Sequence, residues 1–215
     1  MLTSTRYYDN KDLSDVTLCG HHSYMGGSRH TTTIHAHKVI LAQGSSYFRD
    51  HFATSGSDHE RLEIVCDDYR VAYAMVAHLY GLHYDFLEEE GIEQPIDPSK
   101  PQWQESSDRE NSALIELIAL AYEFSVKTLV DSSVAKFSTY AEKLWTHDKS
   151  GFVDLVREVF SQEDEPQQEC RQIVARVVAT NFNKDSGEVD LPELVREIPD
   201  LAIEALKLLA ERAAQ

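Results

Sequence analysis

Histidine is the side chain best suited to chemistry near neutral pH, and this chain has ten. His35 and His37 are two residues apart, so on a strand they share a face, and His30 is close enough for three imidazoles to converge. A converged set could bind a metal ion or move a proton. The pattern goes no further: there is no HExxH, and no carboxylate stands at a spacing that completes a ligand set. Asn181-Phe182-Asn183-Lys184-Asp185-Ser186-Gly187 places oxygen donors at alternate positions, as a calcium loop does. Its glycine comes one residue late and the twelfth position holds no Glu. Cys19, Cys66 and Cys170 are odd in number and far apart, without a CxxC, and read as buried free thiols in a reducing compartment. Glu88-Glu89-Glu90 lies in an acidic run where solvation is the simpler reading. There is no phosphate-cradling glycine loop and no GxSxG nucleophile elbow. The residues therefore assign no catalytic group, no cofactor and no metal. A histidine-based metalloprotein stays as a remote alternative.

Charge narrows the partners. Among 215 residues, 37 are Asp or Glu and 20 are Lys or Arg, a formal net charge of −17. Such a chain repels nucleic-acid phosphates and anionic membrane surfaces, which bind through Lys and Arg. The 42% hydrophobic and 27% charged residues suit a globular chain with a sizeable core. No apolar run approaches the ~18 residues of a membrane span. The richest stretch, Ala113 to Phe124, is interrupted by Glu116 and Glu123. Met1 to Lys11 is polar and lacks the apolar stretch of a secretory signal, so an intracellular location, cytoplasm or nucleus, is expected.

The elements that would position these residues follow from hydrophobic period and punctuation. Val16 to Cys19 alternates as a half-buried strand, Gly20 to Arg29 reads as a hairpin loop, and Thr31 to Ala36 as the return strand. Val39, Ile40 and Leu41 suit a short helix ended by Gly44, and Ser45 or Ser46 can cap a second helix carrying Tyr47, Phe48 and Phe52. Both aromatics of the Tyr47-Phe48 pair are read as core-facing. Leu62 to Val65 reads as a strand, and Tyr69 to Tyr80 as a helix stopped by Gly81. Residues 85–111 hold nine acids against Lys100 and Arg109, with three prolines. This is an acidic insertion, solvated in the simplest reading and a docking strip for a basic partner in the functional one. Ser112 is then expected to cap one apolar helix over 113–129, followed by a helix over 133–144. The remainder is helical by period: Phe152 to Phe160, Cys170 to Val178, a helix opened by Asp190-Leu191-Pro192, and a last helix over 201–213 capped by Asp200.

Two segments carry a resemblance. Leu13-Ser14-Asp15-Val16-Thr17-Leu18, and then His35-Ala36-His37-Lys38-Val39-Ile40-Leu41-Ala42 with Ser45, Tyr47 and Phe48, resemble the (S/C)DV strand start and the AH(K/R)xxLAxxSxYF motif of a BTB/POZ domain. A segment over 120–129 resembles that family's A-x-x-Y-x-V-x-x-L helix, and the strand order includes a short strand near His83–Asp85. The resemblance implies an α+β fold: a BTB/POZ domain over 12–145, a helical cluster flanked by a short mixed sheet, with a helical extension over 146–215 like that of small fungal members. It implies a non-enzymatic protein-interaction module with protein partners, forming homodimers or hetero-associations. The alternative it implies is a substrate adaptor of a ubiquitin ligase that binds a cullin scaffold. Asp15 would be partly buried at its strand start and paired with His37 or Lys38. Tyr47, Phe48, Phe52 and Asp58 would be the fold-signature or partner-binding residues. Gly56 and Asp58 fill the positions where cullin-binding members carry an apolar residue and an acid.

Overall fold

The computed structural model describes residues 7–23, 29–55, 60–82, 107–161, 167–181 and 191–213. The chain divides into two compact units, Met1–Glu105 with Glu116–Asp131, and Ser106–Ile115 with Ser132–Gln215.

The first unit is built on a mixed three-stranded sheet. Strands β1 (Val16–Ser23) and β2 (Arg29–Ala36) are antiparallel, and β3 (Glu60–Val65) runs parallel to β1, in the order β2-β1-β3. The register sets Leu18 opposite both Ile34 and Leu62, and Val16 opposite Ala36. With a side-chain period of two, Val16, Leu18, Ile34, Ala36 and Ile64 fall on one face, and all five are fully buried. The strands run longer than alternation alone suggests. Gly20 is not in the loop but in β1, opposite Thr32, because the antiparallel pairing runs on to Ser23 opposite Arg29.

Helices α1 (Lys38–Gly44) and α2 (Ser46–Thr54) follow β2, and α3 (Tyr69–Leu79) follows β3. Each start has a physical cause. Ser45 caps α2 by accepting from the Phe48 amide at 3.1 Å, and Asp68 caps α3 by accepting from the Arg70 amide at 2.9 Å. Val71, Ala72, Met75 and Val76 form the buried face of α3. Its end is a Schellman turn: the Leu82 amide donates to Ala77 at 2.9 Å, the Gly81 amide to His78 at 2.8 Å, and Gly81 sits at φ +69°.

The single helix expected over 113–129 is two helices, α4 (Ser107–Glu123) and α5 (Lys127–His147). Ser112 is inside α4 and exposed rather than at its cap, and the segment 133–144 belongs to the longer α5. The break is a second Schellman turn. The Val126 amide donates to Ala121 at 2.8 Å, the Ser125 amide to Tyr122 at 3.0 Å, and Ser125 takes the left-handed φ of 51°. Nothing in residue type announces this turn, since left-handed backbone favours glycine. The Ser45 hydroxyl helps set it, donating to the Phe124 carbonyl at 2.5 Å. The comparison predicts opposite outcomes at the two turns. Ser125→Gly raises the unfolding free energy by roughly 0.5–1 kcal/mol, and Gly81→Ala lowers it by about 1 kcal/mol, both read by urea titration.

In the second unit, α5 from Ser132 onward continues to α6 (Lys149–Ser161), α7 (Gln168–Asn181), α8 (Leu191–Glu197) and α9 (Pro199–Ala213). Phe152, Leu155, Val156 and Val159 recur at helical spacing on α6 and are fully buried, as are Cys170, Val174 and Val178 on α7 and Leu201 on α9. Arg157 on α6 forks onto Glu197 of α8 with bonds of 2.9 and 3.0 Å. The last helix begins at Pro199, whose fixed φ suits a first turn, so Asp200 stands inside that turn and not at the cap.

Candidate functional site

The residues singled out by the sequence meet where β1, α1, α2 and β3 come together. Asp15 precedes β1, and its carboxylate oxygen Oδ1 accepts from the backbone amide of Lys38 at 2.7 Å. Lys38 opens α1, and His37 before it makes no side-chain cap bond. Asp15 therefore caps α1 from another element, a negative group at a helix N-terminus. Of the two partners expected for Asp15, the structure pairs it with Lys38, through the backbone amide. Asp15→Ala should cost about 1–2 kcal/mol in chemical denaturation, while Asp15→Asn, which keeps the acceptor, should cost less than half of that.

The Lys38 ammonium instead turns to Glu60 at the head of β3, with Nζ 3.5 Å from Oε2, and lies 5.5 Å from the centroid of the Phe52 ring. His51 of α2 reaches the same carboxylate, with Nε2 2.5 Å from Oε1. Glu60 is brought here by the parallel register, in which its amide donates to the Asp15 carbonyl at 3.1 Å. Burial pushes the Glu60 carboxyl up, but hydrogen bonds from Ser55 and His51 and the charges of His51 and Lys38 outweigh it, so the net shift is downward. His51 and Glu60 were not among the sequence candidates. Only the β1–β3 register places them here.

The aromatics divide. Phe48 is fully buried, with its ring stacked on Phe52 at 5.8 Å and on Phe124 at 5.2 Å. Tyr47 faces out, contrary to the core-facing expectation for both: it is 41% exposed, edge-on to Phe124 at 4.9 Å and parallel to the His51 ring at 6.1 Å. Adjacent residues on a helix point about 100° apart, so one aromatic of the pair anchors α2 and the other stays available. On α1, Val39 is 74% exposed.

His37 points away from this cluster, with Nδ1 2.7 Å from the Tyr80 hydroxyl. Asp58 and Gly56 lie outside the described residues, as do the expected strand at 83–85, the calcium-like loop beyond Asn181, and the acidic insertion up to residue 106. The insertion's last five residues, 107–111, are the first turn and more of α4.

Among the described residues, no three His, Cys, Asp or Glu side chains are grouped to hold a metal ion, and no helix is long and apolar enough to cross a membrane. All three cysteines are buried and free, and burial pushes the Cys66 and Cys170 thiols up to about 12.

The capped α1, the Ser45-capped α2 and the mixed sheet fit one family model, which matches residues 5–94. The chain carries a BTB/POZ domain. This is a protein-interaction domain, and the α+β fold, with its small mixed sheet and helical C-terminal part, is the one the resemblance implied. A comparison with curated proteins finds no match. Within the BTB/POZ domain, Asp15 and Lys38 of the two signature segments are joined by one hydrogen bond, which ties the strand start to the helix start.

Proposed function

We propose that the chain is a non-catalytic association module, a BTB/POZ domain spanning 12–145 with a helical extension over 146–215, that pairs with itself or with another protein through α1 and α2. One observation carries this reading: Val39 and Tyr47 are exposed on consecutive short helices whose inner sides are fixed by the Asp15 cap, the Phe48 stack and the Lys38–Glu60–His51 contacts. Exposed apolar side chains on a fixed frame are the anatomy of an interface anchor. Sedimentation equilibrium from about 1 to 100 μM tests it. Concentration-dependent association weakened about tenfold or more by Val39→Asp is expected. A protein that stays monomeric throughout, and retains no partner on an affinity column, would overturn it.

The exposed Tyr47 favours a second reading, a cullin-binding adaptor. Calorimetric titration with the N-terminal region of the BTB-class cullin should then show saturable binding that Tyr47→Ala removes. The absence of heat leaves the first reading alone.

A further inference from the structure

The segment just before β1 is seated on the domain as a ligand would be. The Tyr8 hydroxyl donates to the Tyr73 carbonyl on α3 at 3.2 Å, and the Tyr8 ring meets Tyr80 edge-on at 5.8 Å. The Tyr7 ring meets His37 edge-on at 5.7 Å. Asp9 Oδ1 accepts from the amide of His35 at 2.9 Å, and the Tyr73 hydroxyl donates to Asp9 Oδ2 at 3.5 Å. The His35 amide belongs to β2, which stands at the outer side of the sheet order, so an acid side chain occupies a donor that a neighbouring strand would otherwise take. Tyr73 on α3 and Tyr80 at its C-cap are seven residues apart and so lie along one face.

Two observations mark the seating as makeshift. Asp9 and Leu13, at the ends of the short connection into β1, both take left-handed backbone, with φ of 45° and 64°, and Leu13 is exposed without a packing reward. His37 Nε2 is enclosed beneath the segment and has no hydrogen-bond partner among the described residues. The connection that follows the docked segment is thus left-handed at both ends, and the seating leaves a buried polar atom unmet. Its occupancy is favoured by its tether, which supplies a high local concentration.

We propose that the groove formed by the β2 edge at His35, His37, and the Tyr73–Tyr80 face of α3 is a peptide-recognition site for extended segments of the type aromatic–aromatic–acid, and that Tyr7-Tyr8-Asp9 occupies it in cis as an autoinhibitory strap. The partner's acid takes the His35 amide, and its two rings take the edges of His37 and Tyr80. This groove is separate from the Val39 and Tyr47 positions, so it stands or falls independently of the association reading.

The test uses the full chain and a fluorescent, end-blocked hexapeptide with the sequence of residues 7–12, read by anisotropy. The Tyr8→Ala/Asp9→Ala variant should bind the peptide about tenfold more tightly than wild type, because the tethered competitor is gone. Leu13→Gly, which relieves the strain and tightens the strap, should bind it more weakly than wild type. A peptide with alanine in place of its acid should lose binding to the opened variant. Amide exchange at His35 should speed up in the opened variant and slow again when the peptide is added. Should the double variant fail to fold, Asp9→Ala, which removes the acceptor for the His35 amide, serves in its place. Equal peptide binding by wild type and the opened variant, or equal binding of the acid and alanine peptides, would overturn the proposal and leave the segment a structural clasp.

Discussion

Phe48→Ala lowers the unfolding free energy by about 4 kcal/mol, and Tyr47→Ala, one residue away, lowers it by less than about 1 kcal/mol. The difference is one of neighbours. The Phe48 ring is fully enclosed and stacked between Phe52 and Phe124, so its removal forfeits the transfer of a large side chain and opens a cavity that two rings cannot both collapse into. It also slackens the link between α2 and the turn after α4, which the Ser45 hydroxyl makes through the Phe124 carbonyl. Tyr47 has water on much of its surface already and loses one edge contact to Phe124 and one parallel contact to His51. Urea titrations of the two variants with unchanged slopes would measure this directly. The functional effect should run the other way. Partner binding through α2 is affected more by Tyr47→Ala than its small stability cost explains, because an exposed aromatic on a rigid frame is the kind of residue that carries interface energy. Equal destabilisation by the two changes would mean that Tyr47 is part of the core and not a docking residue.

The same two residues show what could be read in advance. Their motif placed them on one short helix, and the helix, its Ser45 cap, and the stop at Gly81 all follow from local chemistry that a linear reading can see. Strand pairing of Val16–Cys19 with Thr31–Ala36 was legible for the same reason, because alternation and a turn lie close together in the chain. What was not legible depends on distance. Glu60 joins Lys38 and His51 only because β3 runs parallel to β1, and no local pattern encodes that register. The Asp15 partner was sought among side-chain charges, as is natural for a partly buried acid, whereas the fold uses it to cap a helix whose own preceding residue, His37, makes no cap bond. The break at Ser125 escaped because no Gly or Pro marks it. The left-handed residue is a serine, and the compensating hydrogen bond comes from Ser45, far away in sequence.

Glu116 should make the stability of the first unit fall as pH rises toward neutrality. Its carboxylate accepts from the amides of Asp67 and, at 3.1 Å, of Asp68, where β3 passes into α3. Those two bonds favour the charged form. Burial opposes them more strongly, and the charges of Asp67 and Asp68 add to it, so the group is pushed up to about 7 from an ordinary 4.5. The Arg70 guanidinium donates to the Asp68 carboxylate at 2.6 and 2.8 Å. Between pH 4.5 and about 7 the folded protein therefore holds a proton that the unfolded chain has released. The unfolded state binds fewer protons in that window, so the unfolding free energy declines with rising pH and levels off above it, by up to about 3 kcal/mol in all. Glu116→Gln removes the titration while keeping an amide oxygen as acceptor, and its stability curve should lack this decline. The difference between wild type and variant isolates Glu116 from Glu60, whose downward shift gives a slope of opposite sign at lower pH. Carbon-detected NMR of the Glu116 carboxyl should place its midpoint near neutrality. A midpoint below about 5 would mean that the two amide bonds prevail over burial, and that Glu116 is a charged clamp on the head of α3 at every physiological pH.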